Sequence, residues 1–153
     1  METIRVRVSQ RDVYEEVAKA TDYTGTKMVS GDDTTRDRIL AGDADLETLG
    51  RFWDEAAVGA NEALKEMLLS GRSERVNDDT EYVADIEVSK AFDKTLSGSV
   101  QKMLRSYFIA SIIGQWFVFA NKEESKEYVL QSASMLQGAE RLLYSRRRPT
   151  RPQ

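Results

Sequence analysis

The stretch Tyr107–Ala120, YFIASIIGQWFVFA, decides how the chain folds. Only Ser111, Gly114 and Gln115 interrupt its apolar character, and the apolar positions cover every side of a helix. A surface helix carries one apolar stripe, whereas a helix apolar all round must be enclosed by other elements. At 14 residues it is too short to cross a bilayer, which takes about 20. Lys102 and Arg105 precede it, and Lys122, Glu123 and Glu124 follow at once. It therefore reads as a central core helix. Tyr107, Phe108, Ile112, Trp116 and Phe119 are its expected core side chains, joined by Trp53 from elsewhere in the chain.

The same face extends upstream through Phe92, Leu96, Val100, Met103 and Leu104, so this third helix begins between Ser89 and Ser99. Downstream, Asn121 is placed to cap a fourth helix, with Glu124 at the capping-box position. A single turn residue between two helices predicts an antiparallel helical hairpin. Val129, Ala133, Leu136, Ala139, Leu142 and Leu143 are expected to face inward from the fourth helix. It should stop near Ser145, because Pro149 and Pro152 cannot continue it.

Towards the N-terminus, Thr3–Val8 alternates apolar and charged residues, the period of a half-buried strand. Ser9 follows as a helix N-cap, with Asp12 as a short capping-box acid and Val8 and Val13 as a hydrophobic staple. The first helix is predicted to turn Val13, Tyr14, Val17 and Ala18 inward and to run to about Tyr23, with Gly25 as its stop. Residues 26–42 show no period and read as a loop. Asp43 is the expected cap of a second helix carrying Leu46, Leu49, Trp53, Ala56, Ala57, Ala60, Leu64, Met67 and Leu68 and closing at Gly71. Its three alanines would let another helix approach closely, while Phe52 and Val58 fall off the main stripe. Residues 72–80 read as a loop, and Tyr82–Val88 alternates as a second strand that should pair with the first. The predicted class is mainly α: a four-helix core with a C-terminal helical hairpin and two short strands near 3–8 and 82–88. It forms one domain over 1–145, followed by a flexible Arg/Pro-rich tail over 146–153.

Composition narrows the chemistry. The 153 residues are 41% hydrophobic and 31% charged, the balance of a soluble globular domain. METIRVRVSQ carries charge where a secretory signal would be apolar. Neither cysteine nor histidine occurs, which removes disulfides, thiolate nucleophiles, nitrogen- or sulfur-ligated zinc and every histidine-based triad. Asp32, Asp33 and Asp37 lack EF-hand spacing and read as a solvated loop rather than a Mg²⁺ or Ca²⁺ site. Glu55, Glu62 and Glu66 read as the solvated face of the second helix. No spacing ties Ser9 or Ser89 to Lys94 or Lys122 as a serine–lysine pair. There is no dinucleotide-binding, P-loop, nucleophile-elbow or metalloprotease motif. The reading is a non-enzyme with no catalytic residue, no bound metal and no cofactor.

Charge is unevenly spread. Residues 31–81 hold 14 acids against 6 bases, whereas the final RRRPTRPQ holds four arginines and no acid. Arg146, Arg147, Arg148 and Arg151 exceed what a helix C-terminus needs and point to a partner of opposite charge, either phosphate or an acidic protein surface. DNA is the weaker of these, since the body is acidic and no aromatic residues are interleaved to stack on bases.

From Lys94 to Pro149 the chain resembles the small helical head–tail connector proteins of tailed bacteriophages. The resemblance lies in the apolar helix with Tyr107 and Trp116, the polar turn NKEES, and the amphipathic helix ending LLYSRRRP. It implies a structural virion protein, present in the host cytoplasm during assembly. Copies would form a homo-oligomeric ring, twelvefold by the family's pattern, beneath the portal, with the arginine tail docking to the portal protein. A further neck protein would follow it, DNA would pass through the channel, and no membrane would be involved. The opening TIRVRV strand and the acidic stretch from Ser30 to Gly42 depart from the pattern and leave the neck layer open. The alternative is a small helical nucleic-acid- or protein-binding module using the same tail.

Overall fold

The computed structural model describes residues 2–28 and 46–145, with 22–28, 119 and 120 described by their backbone alone. In chain order the elements are β1 (Glu2–Ser9), α1 (Gln10–Met28), α2 (Leu46–Leu64), β2 (Leu68–Val76), β3 (Asp79–Val88), a 3₁₀ turn (Lys94–Leu96), α3 (Ser97–Ala120) and α4 (Lys122–Leu143). The mainly α expectation with two short strands is overturned. The chain is mixed α/β, though largely helical, and its antiparallel sheet has three strands in the order β1-β3-β2.

The missing strand is β2. The second helix ends at Leu64 instead of Gly71, and the expected loop 72–80 is mostly strand. Asn77 and Asp78 link β2 to β3, with Asn77 at φ 56°, a left-handed conformation that asparagine accepts more readily than most side chains. An irregularity between Leu68 and Ser70 breaks the β2 register. The two expected strands do pair, and they do so within one chain: Thr3 lies opposite Glu87, and Val8 opposite Tyr82.

Register sorts the side chains onto two faces. Val6, Val8, Tyr82, Ala84, Ile86 and Val88 point to one side and are buried. β2 adds Gly71 and Ser73 to that face, opposite Ala84 and Tyr82. Helices α1, α2 and α3 lie against the sheet, and α4 packs along α3. Phe108 sits at the centre, with its ring 4.6 Å from that of Trp53 and 5.1 Å from that of Tyr82. Tyr107, Phe108, Ile112, Ile113 and Phe117 of the central stretch are buried and Trp116 is half-buried. Enclosure fails towards the end, where Val118 is 42% exposed.

Local chemistry sets the element ends. Ser9 Oγ accepts a hydrogen bond from Asp12 N at 3.2 Å, the N-cap expected for α1, with the staple residues Val8 and Val13 both buried. The Asp12 carboxylate does not complete a capping box; it pairs with Arg105 of α3. Helix α1 also runs through Gly25 to Met28. A glycine inside a helix costs only about 1 kcal/mol relative to alanine, so it weakens a helix without having to end it. Asn121 Oδ1 accepts from Glu124 N at 3.3 Å and opens α4 directly after α3.

Two close contacts dock α2. Tyr107 Oη donates to the Ala56 carbonyl at 2.7 Å, where the small residues Ala56, Gly59 and Ala60 let α3 approach. On the sheet side, Asn61 Nδ2 donates to the Gly71 carbonyl at 3.2 Å and Tyr82 Oη donates to Asn61 Oδ1 at 2.6 Å. Gly71 has no room for a side chain, since a Cβ there would collide with the Asn61 amide.

Candidate interaction surfaces

The outer face of the sheet is a lattice of alternating charge. Arg5, Asp85 and Ser70 form one row across the strands, Arg7, Val83 and Arg72 the next, and Ser9, Glu81 and Glu74 the third. Arg5 Nε lies 2.6 Å and Arg72 Nη1 3.0 Å from the Asp85 carboxylate. Arg7 reaches Glu81 at 2.9 Å, and Arg72 reaches Glu74 at 3.0 Å. Hydrogen bonds from Arg5 and Arg72 hold the Asp85 carboxyl down to about 2. Val83, between Arg7 and Arg72 in register, is fully buried although it points outward. Long arginine stems cover apolar surface while their heads stay wet. The charges on this face neutralise one another.

A cleft of about 290 Å³ lies where β1 meets α1 and α3, lined by Arg7, Ser9, Asp12, Glu81, Gln101 and Arg105 among others. Arg105 pairs with Asp12, and this hydrogen bonding lowers the Asp12 carboxyl below its ordinary value. Gln101 Oε1 accepts from Arg7 N at 3.0 Å. Ser9 Oγ donates to Asp79, whose other oxygen accepts from Arg11 N at 3.1 Å. These bonds lock the start of α1 to the β2–β3 turn and to α3. They are the chemistry of a structural joint.

Burial raises the phenols of Tyr14 and Tyr107 to about 12, with Asp54 adding to the effect on Tyr14. The Tyr82 phenol is pushed up further by the same cause. A tyrosine shifted in this direction stays neutral, as a core residue does. Lys94 Nζ lies 3.1 Å from Glu2, while Ser9 is engaged with Asp79, so neither enters a serine–lysine pair. Glu55, Glu62 and Glu66 are exposed. Among the described residues no three acidic side chains gather as a metal site, and no helix is long and apolar enough to cross a membrane. Asp32, Asp33, Asp37 and Asp43 lie outside the described residues, as does the side chain of Phe119.

Exposed apolar surface gathers on the helical hairpin. Val129 is 50% and Leu130 71% exposed, against the expectation that Val129 and Ala133 face inward. The reason is local. The first half of α4 meets α3 through Ser125, whose Oγ donates to the Gly114 carbonyl at 2.7 Å, and through Tyr128, packed 6.0 Å from Phe117. Deeper burial of α4 begins at Gly138, fitted against Met103, and continues through Ala139 and Leu143. Val129 lies over Gly114, Val118 stands one helical turn further along α3, and Leu130 follows Val129 in the chain. Lys122 and Lys126, and next to them Glu123 and Glu127, repeat at one-turn spacing on the same helix and are exposed.

The outward face of α2 is the other open helical surface. Glu47, Arg51, Asp54, Glu55, Val58 and Glu62 recur at helical spacing and are all exposed. Leu49, Trp53, Ala56, Ala57, Ala60 and Leu64 occupy the buried side. Of the two residues off the expected stripe, Phe52 packs against the core, whereas Val58 is 66% exposed.

The end of α4 is tied back to the body. The Ser145 carbonyl accepts from Asp93 N at 3.4 Å, which fixes where the C-terminal segment departs. Arg146, Arg147, Arg148 and Arg151 themselves lie outside the described residues. Comparison with family models, with characterised proteins and with solved structures finds no match.

Proposed function

We propose that the chain is a structural subunit of the tailed-bacteriophage head–tail connector, a virion protein whose copies assemble into a ring beneath the portal. The observation that carries this reading is the apolar surface of the helical hairpin, where Val118, Val129 and Leu130 stay open to solvent beside paired columns of lysine and glutamate. Exposed apolar side chains grouped on one element beside a polar rim mark a candidate protein–protein contact. The charged columns add register and salt sensitivity to such a contact. The described polar groups are consistent with this role, because they are spent on joints between elements: Asp12 with Arg105, Asp79 with Ser9, and Asp85 between two arginines.

Native mass spectrometry over a range of protein and salt concentrations tests the reading. A closed oligomer near twelve copies that falls apart as salt rises supports it. A strict monomer that instead binds duplex DNA, with affinity falling steeply as added salt shrinks the entropy gained when binding releases counterions, replaces the connector with the nucleic-acid-binding module.

A further inference from the structure

We propose that the outward face of α2 is the seat for the arginine-rich C-terminal segment of a second copy of this chain. This rests on the ring reading and names one contact that closes the ring.

Along α2 the exposed stripe carries Glu47, Asp54, Glu55 and Glu62 against the single base Arg51, with Val58 open at its middle. Among the described residues, only Glu62 of these acids has an ion-pair partner, Lys65 at 3.0 Å. The C-terminal segment RRRPTRPQ supplies four arginines and no acid. Guanidinium forks match carboxylates in pairs, and arginine stems can cover an apolar side chain such as Val58. Pro149 and Pro152 disfavour a helix and bias the residues before them to extended backbone. Eight extended residues span about 26 Å. From Glu47 to Glu62 the stripe runs about 22 Å at the helical rise. Length and charge both correspond.

The chain's own tail cannot span this seat, because only the Glu62 end of the stripe lies near its point of departure: the Met67 carbonyl, just past α2, accepts from Glu87 N at 2.7 Å. The tail departs at Ser145, held by Asp93. The neighbouring Lys94 pairs with Glu2, which lies opposite Val88, so the departure point is at the Val88 end of β3. The start of α2 is at the other end, where Leu46 shares a cleft with Asp78, Asp79 and Thr80. The 10 residues of β3 separate the two ends by about 33 Å, so the chain's own segment stops short of Glu47. A tail from a neighbour can lie along the whole stripe. A tail-to-α2 contact joins two different surfaces, the head-to-tail type of interface that closes into a ring when its rotation permits.

Two full-length charge-reversal variants test this: a face variant, Asp54→Lys with Glu55→Lys, and a tail variant, Arg146→Glu, Arg147→Glu and Arg148→Glu. Asp54 and Glu55 are exposed, and circular dichroism checks that both variants fold. Native mass spectrometry at low salt should show the wild-type oligomer lost in each variant alone and recovered when the two are mixed in equal amounts. In the mixture every tail then meets a face of opposite charge. Oligomers that persist in both variants overturn this contact while leaving the ring reading standing. Loss in each variant without recovery on mixing overturns the pairing between copies. A wild type that is monomeric throughout removes the ring reading and the contact together.

Discussion

Gly59 sits in the interior of α2, where replacing glycine by alanine ordinarily stabilises a helix by about 1 kcal/mol. Here the structure reverses the sign. A Cβ at Gly59 would run into Tyr107 Oη, although the ring carbon behind that oxygen would be 3.7 Å away, at ordinary contact. The hydroxyl has nowhere to retreat, because Tyr107 is 6% exposed, donates to the Ala56 carbonyl and packs edge-on against Phe108. Overpacking a fitted core costs about 1–3 kcal/mol, so Gly59→Ala should destabilise by up to about 2 kcal/mol after the helical gain. Tyr107→Phe alone should cost about 1 kcal/mol for the lost hydrogen bond. In the Tyr107→Phe background the obstructing oxygen is gone, and Gly59→Ala should become neutral or stabilising. Urea unfolding of the four proteins of this double-mutant cycle measures the coupling directly, provided the m value is constant. The result that refutes the reasoning is a Gly59→Ala protein at least as stable as wild type while Tyr107 is intact.

Two further outcomes follow from the joints. The Asp85 carboxyl is held down to about 2 by hydrogen bonds from Arg5 and Arg72, below the value near 4 of an unfolded aspartate. A depressed folded-state value means that its stabilisation is complete above about pH 4 and lost as pH falls towards 2. Acid titration of stability should therefore be shallower over that range in Asp85→Asn than in wild type, and identical slopes would discard the bridge. Asn121→Ala removes the side-chain acceptor for Glu124 N and should lower stability by about 1 kcal/mol. Thermal unfolding would register this as a fall of about 2–4 °C for a domain of this size, and an unchanged midpoint would show that the α3–α4 corner does not depend on its cap.

Much of the architecture was readable in neighbouring residues. The alternation in Thr3–Val8 and Tyr82–Val88, the caps at Ser9 and Asn121 and the all-round apolar character of Tyr107–Ala120 each depend on chemistry a few positions apart. Such chemistry survives in a one-dimensional string. The α2 face is readable too, since Val58 stands off the apolar stripe of that helix. Strand β2 is not. Past Leu68 its inward positions are Gly71, Ser73 and Arg75, so it lacks the apolar alternation of a strand, and Met67 and Leu68 prolong the helical pattern of α2 past its end. Asn77-Asp78 was the one local sign of a hairpin. What makes Leu68–Val76 a strand is its ladder with β3, which runs from Val76 opposite Asp79 to Leu68 opposite Ile86, together with Asn61, 10 positions before Gly71, and Tyr82 closing over that glycine. The same holds for the surfaces. Periodicity turned Val129 inward on the first half of α4, yet burial there requires a neighbour beyond α3, and the described fold supplies none. Spacing along the chain sets which side chains share a face, whereas the layer packed against that face sets whether it is core or surface.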